Sequence, residues 1–214
     1  MAYLRILLAD DHTILRHGLR RMLEERPEWQ VIAEACDGRE AITLAERYRP
    51  DVAIIDVAMP SLNGIETTRQ LVRKIPGLRV LILSMHIDEV YVTQILKAGA
   101  TGYLLKDSAD TDLFQAVAAV AVGQSFFSPA IAKLIADDYV RPHPEAIDRY
   151  ESLSEREREI LQLVAEANTN KEIAALLGIS PSTVETHRAK IIQKLDLHSA
   201  AEIALYAVRR GIIR

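Results

Sequence analysis

Cysteine is almost absent from this chain of 214 residues: Cys36 is the only one. One thiol excludes an internal disulfide framework, and nothing else in the sequence argues for an oxidising compartment. Beside the apolar residues Val31, Ile32 and Ala33, Cys36 reads as a partly buried structural thiol. Long apolar runs are also missing, so no membrane span is expected. The opening residues 1–8 are too short for a signal sequence and run straight into two aspartates, which predicts a cytoplasmic protein. Repeats and low-complexity tracts are absent too. So is any excess of basic residues, with a net charge of −4. The acidity is uneven, however. Residues 1–150 hold 17 basic and 21 acidic side chains, and residues 151–214 hold 9 of each. Any basic surface in the second part must come from arrangement rather than surplus. Hydrophobic residues at 49% and charged residues at 26% are ordinary for a globular protein with a real core.

The first part alternates two kinds of pattern. Short apolar runs at residues 4–9, 31–35, 52–55, 79–84 and 101–106 read as strands. Between and after them lie segments with helical spacing, such as Ile14, Leu15, Leu19, Met22 and Leu23. Five β-α units in succession require a parallel sheet with helices on both faces. The predicted fold is an α/β flavodoxin-like domain over residues 1–123, a five-stranded parallel sheet in the order 2-1-3-4-5. Residues 124–150 read as a linker carrying a short helix, begun by Ser128-Pro129 and closed by Arg141-Pro142-His143-Pro144. Residues 151–214 read as a small all-α domain. Ser154 with Glu157 forms a capping box. Thr169 or Asn170 caps the next helix, Gly178-Ile179-Ser180 turns the chain, Ser180 or Ser182 with Pro181 opens a third helix, and Ser199 opens a fourth.

Val52-Ala53-Ile54-Ile55-Asp56 is the stretch around which the first domain is organised. It is a strand apolar on both faces that ends in a carboxylate. Asp10 and Asp11 leave the first strand, Ser84 ends the fourth and Lys106 ends the fifth. Parallel strand ends all open on one side, where ligands bind in such sheets. Clustered carboxylates repel and call for a cation. An all-oxygen set with few protein ligands suits Mg²⁺, and Lys106 adds a second positive charge. Together with the Ser84 hydroxyl, these groups form a seat for a phosphoryl group on Asp56, aspartate being a known nucleophile for phosphoryl transfer.

The order and spacing of these residues resemble the receiver domain of bacterial two-component response regulators. The likeness includes Asp10-Asp11, Asp56 with Met59-Pro60 and Gly64, Leu83-Ser84, Ala98-Gly99-Ala100, Gly102-Tyr103 and Lys106. It implies that Asp56 takes a phosphoryl group from a sensor histidine kinase. Asp11, Asp56 and the Ala58 backbone carbonyl would hold Mg²⁺, with Asp10 nearby through water, and Ser84 and Tyr103 would form the switch. Met85 is bulkier than the residue common after this serine, and Asp107 stands where many receivers have proline.

The stretches 153–161, 170–174 and 182–188 resemble the LuxR-type helix-turn-helix. Joined to a receiver they make the chain similar to NarL/FixJ-family response regulators, transcription factors rather than enzymes, which bind double-stranded promoter DNA as homodimers on activation. The second helix of the motif enters the major groove. Ser182, Thr183, Glu185, Thr186 and Arg188 are the candidates for base edges. Lys171, Arg188, Lys190 and Lys194 suit phosphates. Glu185 stands where many relatives carry lysine, and an acid there can accept from a cytosine amino group. Ala167 replaces the usual glycine between the first two helices, which predicts a less tightly turned corner. Ala200, Ala201, Ile203, Ala204 and Ala207 could form a dimer face or pack on their own core. Three alternatives compete. A haloacid-dehalogenase-type phosphatase needs a second aspartate where Ala58 stands. A flavodoxin-like cofactor module would have Asp10-Asp11 repelling its phosphate. A receiver that gates transcription without phosphorylation is the third.

Overall fold

The computed structural model describes residues 3–85, 87, 89–140, 149–197 and 199–213. The chain forms two compact units, Met1–Pro142 and His143–Arg214. The proline-flanked stretch around His143 lies outside the described residues.

In the first unit β1 (Leu4–Ala9), β2 (Trp29–Ala35), β3 (Val52–Asp56), β4 (Arg79–Ser84), β5 (Gly102–Leu105) and β6 (Phe126–Phe127) form one parallel sheet, in the order 2-1-3-4-5-6. The helices are α1 (Thr13–Leu23), α2 (Gly38–Tyr48), α3 (Gly64–Lys74), α4 (Glu89–Ala98), α5 (Ala109–Ala121) and α6 (Pro129–Val140). The strand order of the first five is as expected, and a sixth strand is added at the edge. A pair of phenylalanines is too short to show any periodicity, so β6 leaves no strand pattern in the sequence. Its partner β5 supplies the register, Gly102 opposite Phe126 and Tyr103 opposite Phe127.

Side chains alternate across the sheet and build two cores. On one face Ile6, Leu8, Val52, Ile54, Leu81 and Leu83 pack with Leu19, Leu23, Leu113 and Val117 from α1 and α5. On the other, Leu7, Ala53, Ile55, Val80, Ile82 and Tyr103 pack with Ala41, Leu71, Ile95 and Ile131 from α2, α3, α4 and α6. This double burial is why the central strands are apolar throughout. Each fully buried Leu or Ile contributes about 1.5–3 kcal/mol. Ile131 places α6 within this core, so residues expected in a linker belong to the first unit. Ser128 does not cap α6 with its hydroxyl. That hydroxyl accepts from Leu105 N–H at 3.0 Å, and the Ser128 N–H donates to Tyr103 O at 3.0 Å.

The second unit holds a short 3₁₀ turn (Arg149–Ser152) and α7 (Glu155–Ala165), α8 (Asn170–Leu177), α9 (Pro181–Leu195) and α10 (Ala200–Arg209). Ser154 with Glu157 and Thr169 with Glu172 both form complete capping boxes, and Ser180 caps α9 with Pro181 in its first turn. Tyr150, Ile160, Ile173, Leu177, Val184, Ile191, Leu195, Ile203 and Ala207 make one buried cluster. Ile203 and Ala207 are thus core residues rather than a dimer face.

Candidate functional site

β1 and β3 are neighbours, with Ala9 opposite Ile55, so Asp10 and Asp56 leave the sheet side by side. Asp10 and Asp56 are almost wholly buried, at 1% and 3% exposure. Lys106 opens the 3₁₀ turn after β5 and reaches both, its Nζ lying 2.8 Å from Asp10 Oδ2 and 3.0 Å from Asp56 Oδ2. Asp10, Asp11, His12 and Asp56 each bring a ligand-type atom within 4.8 Å of the others. Two buried carboxylates and a partly exposed third gathered beside Lys106 concentrate negative charge that a further cation would offset. The donors are hard oxygens and few, and they fit a divalent cation that keeps several waters. His12 sits at the start of α1 with its ring half-exposed, Nδ1 at 2.9 Å from Asp11 Oδ1 and 3.3 Å from Asp10 Oδ1.

The other residues that carry the resemblance to receivers lie in β4, β5 and the loops that follow β3 and β4. Ser84 is fully buried at the end of β4. Tyr103 is also fully buried, within the core on the α2, α3, α4 and α6 side of the sheet. Ala58 lies half-buried in the loop after β3, and Met85 is exposed directly after Ser84. Gly64 closes the β3–α3 loop: its N–H donates to Val57 O at 2.8 Å, and a Cβ there would collide with the Asp56 carbonyl. Cys36 differs from expectation, because it is exposed beyond the end of β2. Two residues with no signal of their own in the sequence also reach the acidic loop. Arg16 on α1 donates to the Asp10 carbonyl, and Glu34 on β2 holds Arg16.

In the second unit Gly178 takes a left-handed φ of 64° between α8 and α9, the turn that separates the two helices of the motif. Val184, Ile191 and Leu195 face the core. Ser182, Thr183, Glu185, Thr186 and Lys190 are exposed on α9, and Lys171 is exposed on α8. Arg188 is half-buried, and its Nη1 donates to Asn170 Oδ1 at 2.7 Å. Lys194 is taken up by the fold: its Nζ lies 2.7 Å from Glu157 Oε2 and donates to Ser152 O at 3.0 Å. Burial opposes ionisation of Glu157, but Lys194 and the Ser154 N–H outweigh it and hold the carboxyl below the usual glutamate range. Ala167 keeps the corner tight after all. It adopts φ 63°, while its N–H and that of Asn168 bond back to Val164 and Leu163.

A family model described as the response regulator receiver domain matches residues 6–118, and one described as bacterial regulatory proteins, luxR family, matches residues 151–207. The chain belongs to the NarL/FixJ family of response regulators. Among its relatives, the transcriptional regulatory protein DegU of Brevibacillus brevis is 36% identical, over 99% of this chain and 95% of that protein. A LuxR-family two-component response regulator from Aurantimonas sp. is 39% identical with a TM-score of 0.62, over 65% of this chain and 100% of that one. The response regulator RcsB in its DNA complex is 28% identical with a TM-score of 0.60, over 96% of this chain and 98% of its own. This response regulator therefore pairs a receiver with a LuxR-type DNA-binding domain. No described helix is long and apolar enough to cross a membrane.

Proposed function

We propose that Asp56 accepts a phosphoryl group from a sensor histidine kinase, and that phosphorylation lets a homodimer of this response regulator bind promoter DNA. The observation that carries the proposal is the buried Asp56 carboxylate with Lys106 Nζ 3.0 Å away and two further carboxylates beside it. Asp11 and Asp56, with the Ala58 carbonyl, would hold Mg²⁺ and Asp10 would stand close by. The bound ion would supply charge neutralisation for the transferring group. An Asp56 oxygen attacks phosphorus, the O–P bond forms and the P–N bond to the kinase histidine breaks. The imidazole leaves and takes up a proton. Lys106 stands ready to pair with a phosphoryl oxygen in place of the Asp56 oxygen it now holds. The buried Ser84 hydroxyl, at the end of the adjacent strand, would donate to another.

The exposed polar set on α9 supports the second half of the proposal. Ser182, Thr183, Glu185 and Thr186 lie in the first turns, the part of a recognition helix that reaches base edges. Lys171 and Lys190 are exposed for phosphates, and Arg188 is held by Asn170 where it could serve either contact. The relative RcsB was solved on DNA. A ligand that must shift a two-state equilibrium from 1:99 to 99:1 needs about 5.5 kcal/mol of preference. A handful of charge-assisted hydrogen bonds to a phosphoryl group can supply this.

The test is selection of sites from a random double-stranded DNA pool with Mg²⁺ and acetyl phosphate, run beside Asp56→Asn. Enrichment of a two-fold symmetric site by the phosphorylatable protein alone is the expected result. The same site enriched by both would make the receiver phosphorylation-independent. No site from either would remove DNA binding from the proposal.

A further inference from the structure

The Asp10–Asp11 turn is held from every side. Asp10 N–H donates to Ala35 O at 3.2 Å, and Asp10 Oδ1 accepts from His12 N–H at 2.8 Å. The Asp10 carbonyl accepts from Arg16 Nη1 at 2.6 Å. That carbonyl belongs to the peptide joining Asp10 to Asp11, so fixing it fixes the plane from which the Asp11 side chain departs. Arg16 does not reach it by chance. Its Nε donates to Glu34 Oε2 at 3.3 Å, and Glu34 Oε1 is held by Arg20 Nη1 at 2.7 Å. The Arg16 side chain is only 13% exposed and that of Glu34 21%. A guanidinium can serve a carboxylate and a carbonyl at once because its donors point in fixed, divergent directions.

We infer that Arg16, braced by Glu34, is a positioning residue for the acidic site, orienting the Asp10–Asp11 peptide so that the Asp11 carboxylate meets Asp56. The inference rests on the proposed Mg²⁺ role of Asp11 and extends it to residues beyond the carboxylate cluster. Geometry and charge make opposite predictions here. As a mere neighbouring cation, Arg16 would weaken the attraction of the site for Mg²⁺, and its removal would tighten binding. As a positioning residue it does the reverse. Groups that orient metal ligands typically cost 10–100-fold in affinity when lost. Lysine gathers its donors on one nitrogen and lacks the fork by which Arg16 serves Glu34 from Nε and the carbonyl from Nη1.

The experiment is calorimetric titration of the full chain with MgCl₂ at fixed pH and ionic strength, with a urea melt of each variant. Arg16→Gln is expected to raise the Mg²⁺ Kd by about tenfold. Glu34→Gln, which keeps Arg16 but loosens it, is expected to raise Kd less. Arg16→Lys, which keeps the charge, is expected not to restore the wild-type value. Unchanged or tighter binding by Arg16→Gln, in a protein whose wild type binds Mg²⁺ and whose Asp11→Asn does not, overturns the positioning role alone. A changed urea midpoint with an unchanged Kd also overturns it, leaving Arg16 as a structural ion pair. A wild type that does not bind Mg²⁺ overturns the metal role of Asp11 and this inference with it.

Discussion

Cys36 shows how one contact decides the chemistry of a side chain. The thiol is exposed, yet its Sγ lies 3.1 Å from Glu40 Oε2, and the same carboxylate oxygen accepts from Cys36 N–H at 2.8 Å. The hydrogen bond to Glu40, with some burial and the charges of Glu40 and Asp37, pushes the thiol pKa up, while Glu40 is held down by the donors of Cys36. Thiolate is the reactive form, so an exposed thiol of this kind is sluggish. Alkylation of Cys36 by iodoacetamide at neutral pH is expected to be slower than that of a free cysteine peptide. Glu40→Gln is expected to speed it several-fold, as followed by mass spectrometry. The sequence placed Cys36 next to an apolar strand and so suggested burial. The strand ends at Ala35, and the next residue is already in solvent.

Among the elements, the corner between α7 and α8 carries a readable strain. Ala167 has a left-handed φ of 63°. For a residue with a Cβ this conformation costs roughly 1–2 kcal/mol. The corner is retained because two N–H groups there bond back to the last turn of α7. Ala167→Gly is expected to stabilise the protein by about 0.5–1 kcal/mol, the strain relieved less the extra freedom gained by the unfolded chain. A urea midpoint no higher than wild type would count against the strain. Much at this scale was legible beforehand. The central strands are apolar on both faces, and serine with glutamate three residues on marks the start of α7. The signals that failed were short or ambiguous. β6 has only two residues. The choice between Ser180 and Ser182 turned on backbone angles that composition does not encode, whereas Glu172, three residues after Thr169, marks Thr169 over Asn170. Arg16 looks like any charge on a helix until the fold shows that it faces Glu34 and the Asp10 carbonyl.

At the scale of the whole molecule, the two units have separate cores. The ion pair of Glu157 with Lys194 joins α7 to α9 in the second unit. A carboxyl whose folded pKa is depressed contributes stability above its unfolded value, here the ordinary 4.5, and loses that contribution as pH falls through the folded value. Lowering the pH below the ordinary glutamate range is therefore expected to destabilise the helical unit. Glu157→Gln, which can keep the capping box, is expected to flatten that dependence. Trp29, the single tryptophan, lies in the receiver against Phe114, with ring centroids 5.9 Å apart. A loss of helical circular dichroism at acid pH that Glu157→Gln reduces while leaving the Trp29 fluorescence change as in the wild type is the expected result, and an unaltered loss would refute the role of Glu157. The burial of Lys106 between Asp10 and Asp56 also bears on how the protein is made. Three aspartates are synthesised before the lysine that offsets them, and the intervening stretch takes a few seconds at about 5–20 residues per second. Until β5 arrives, the growing chain carries a cluster that pushes itself apart. The charge offset of Asp10 and Asp56 thus waits for the turn after β5, and a chain cut short before Lys106 lacks both that cation and the β6 edge of the sheet.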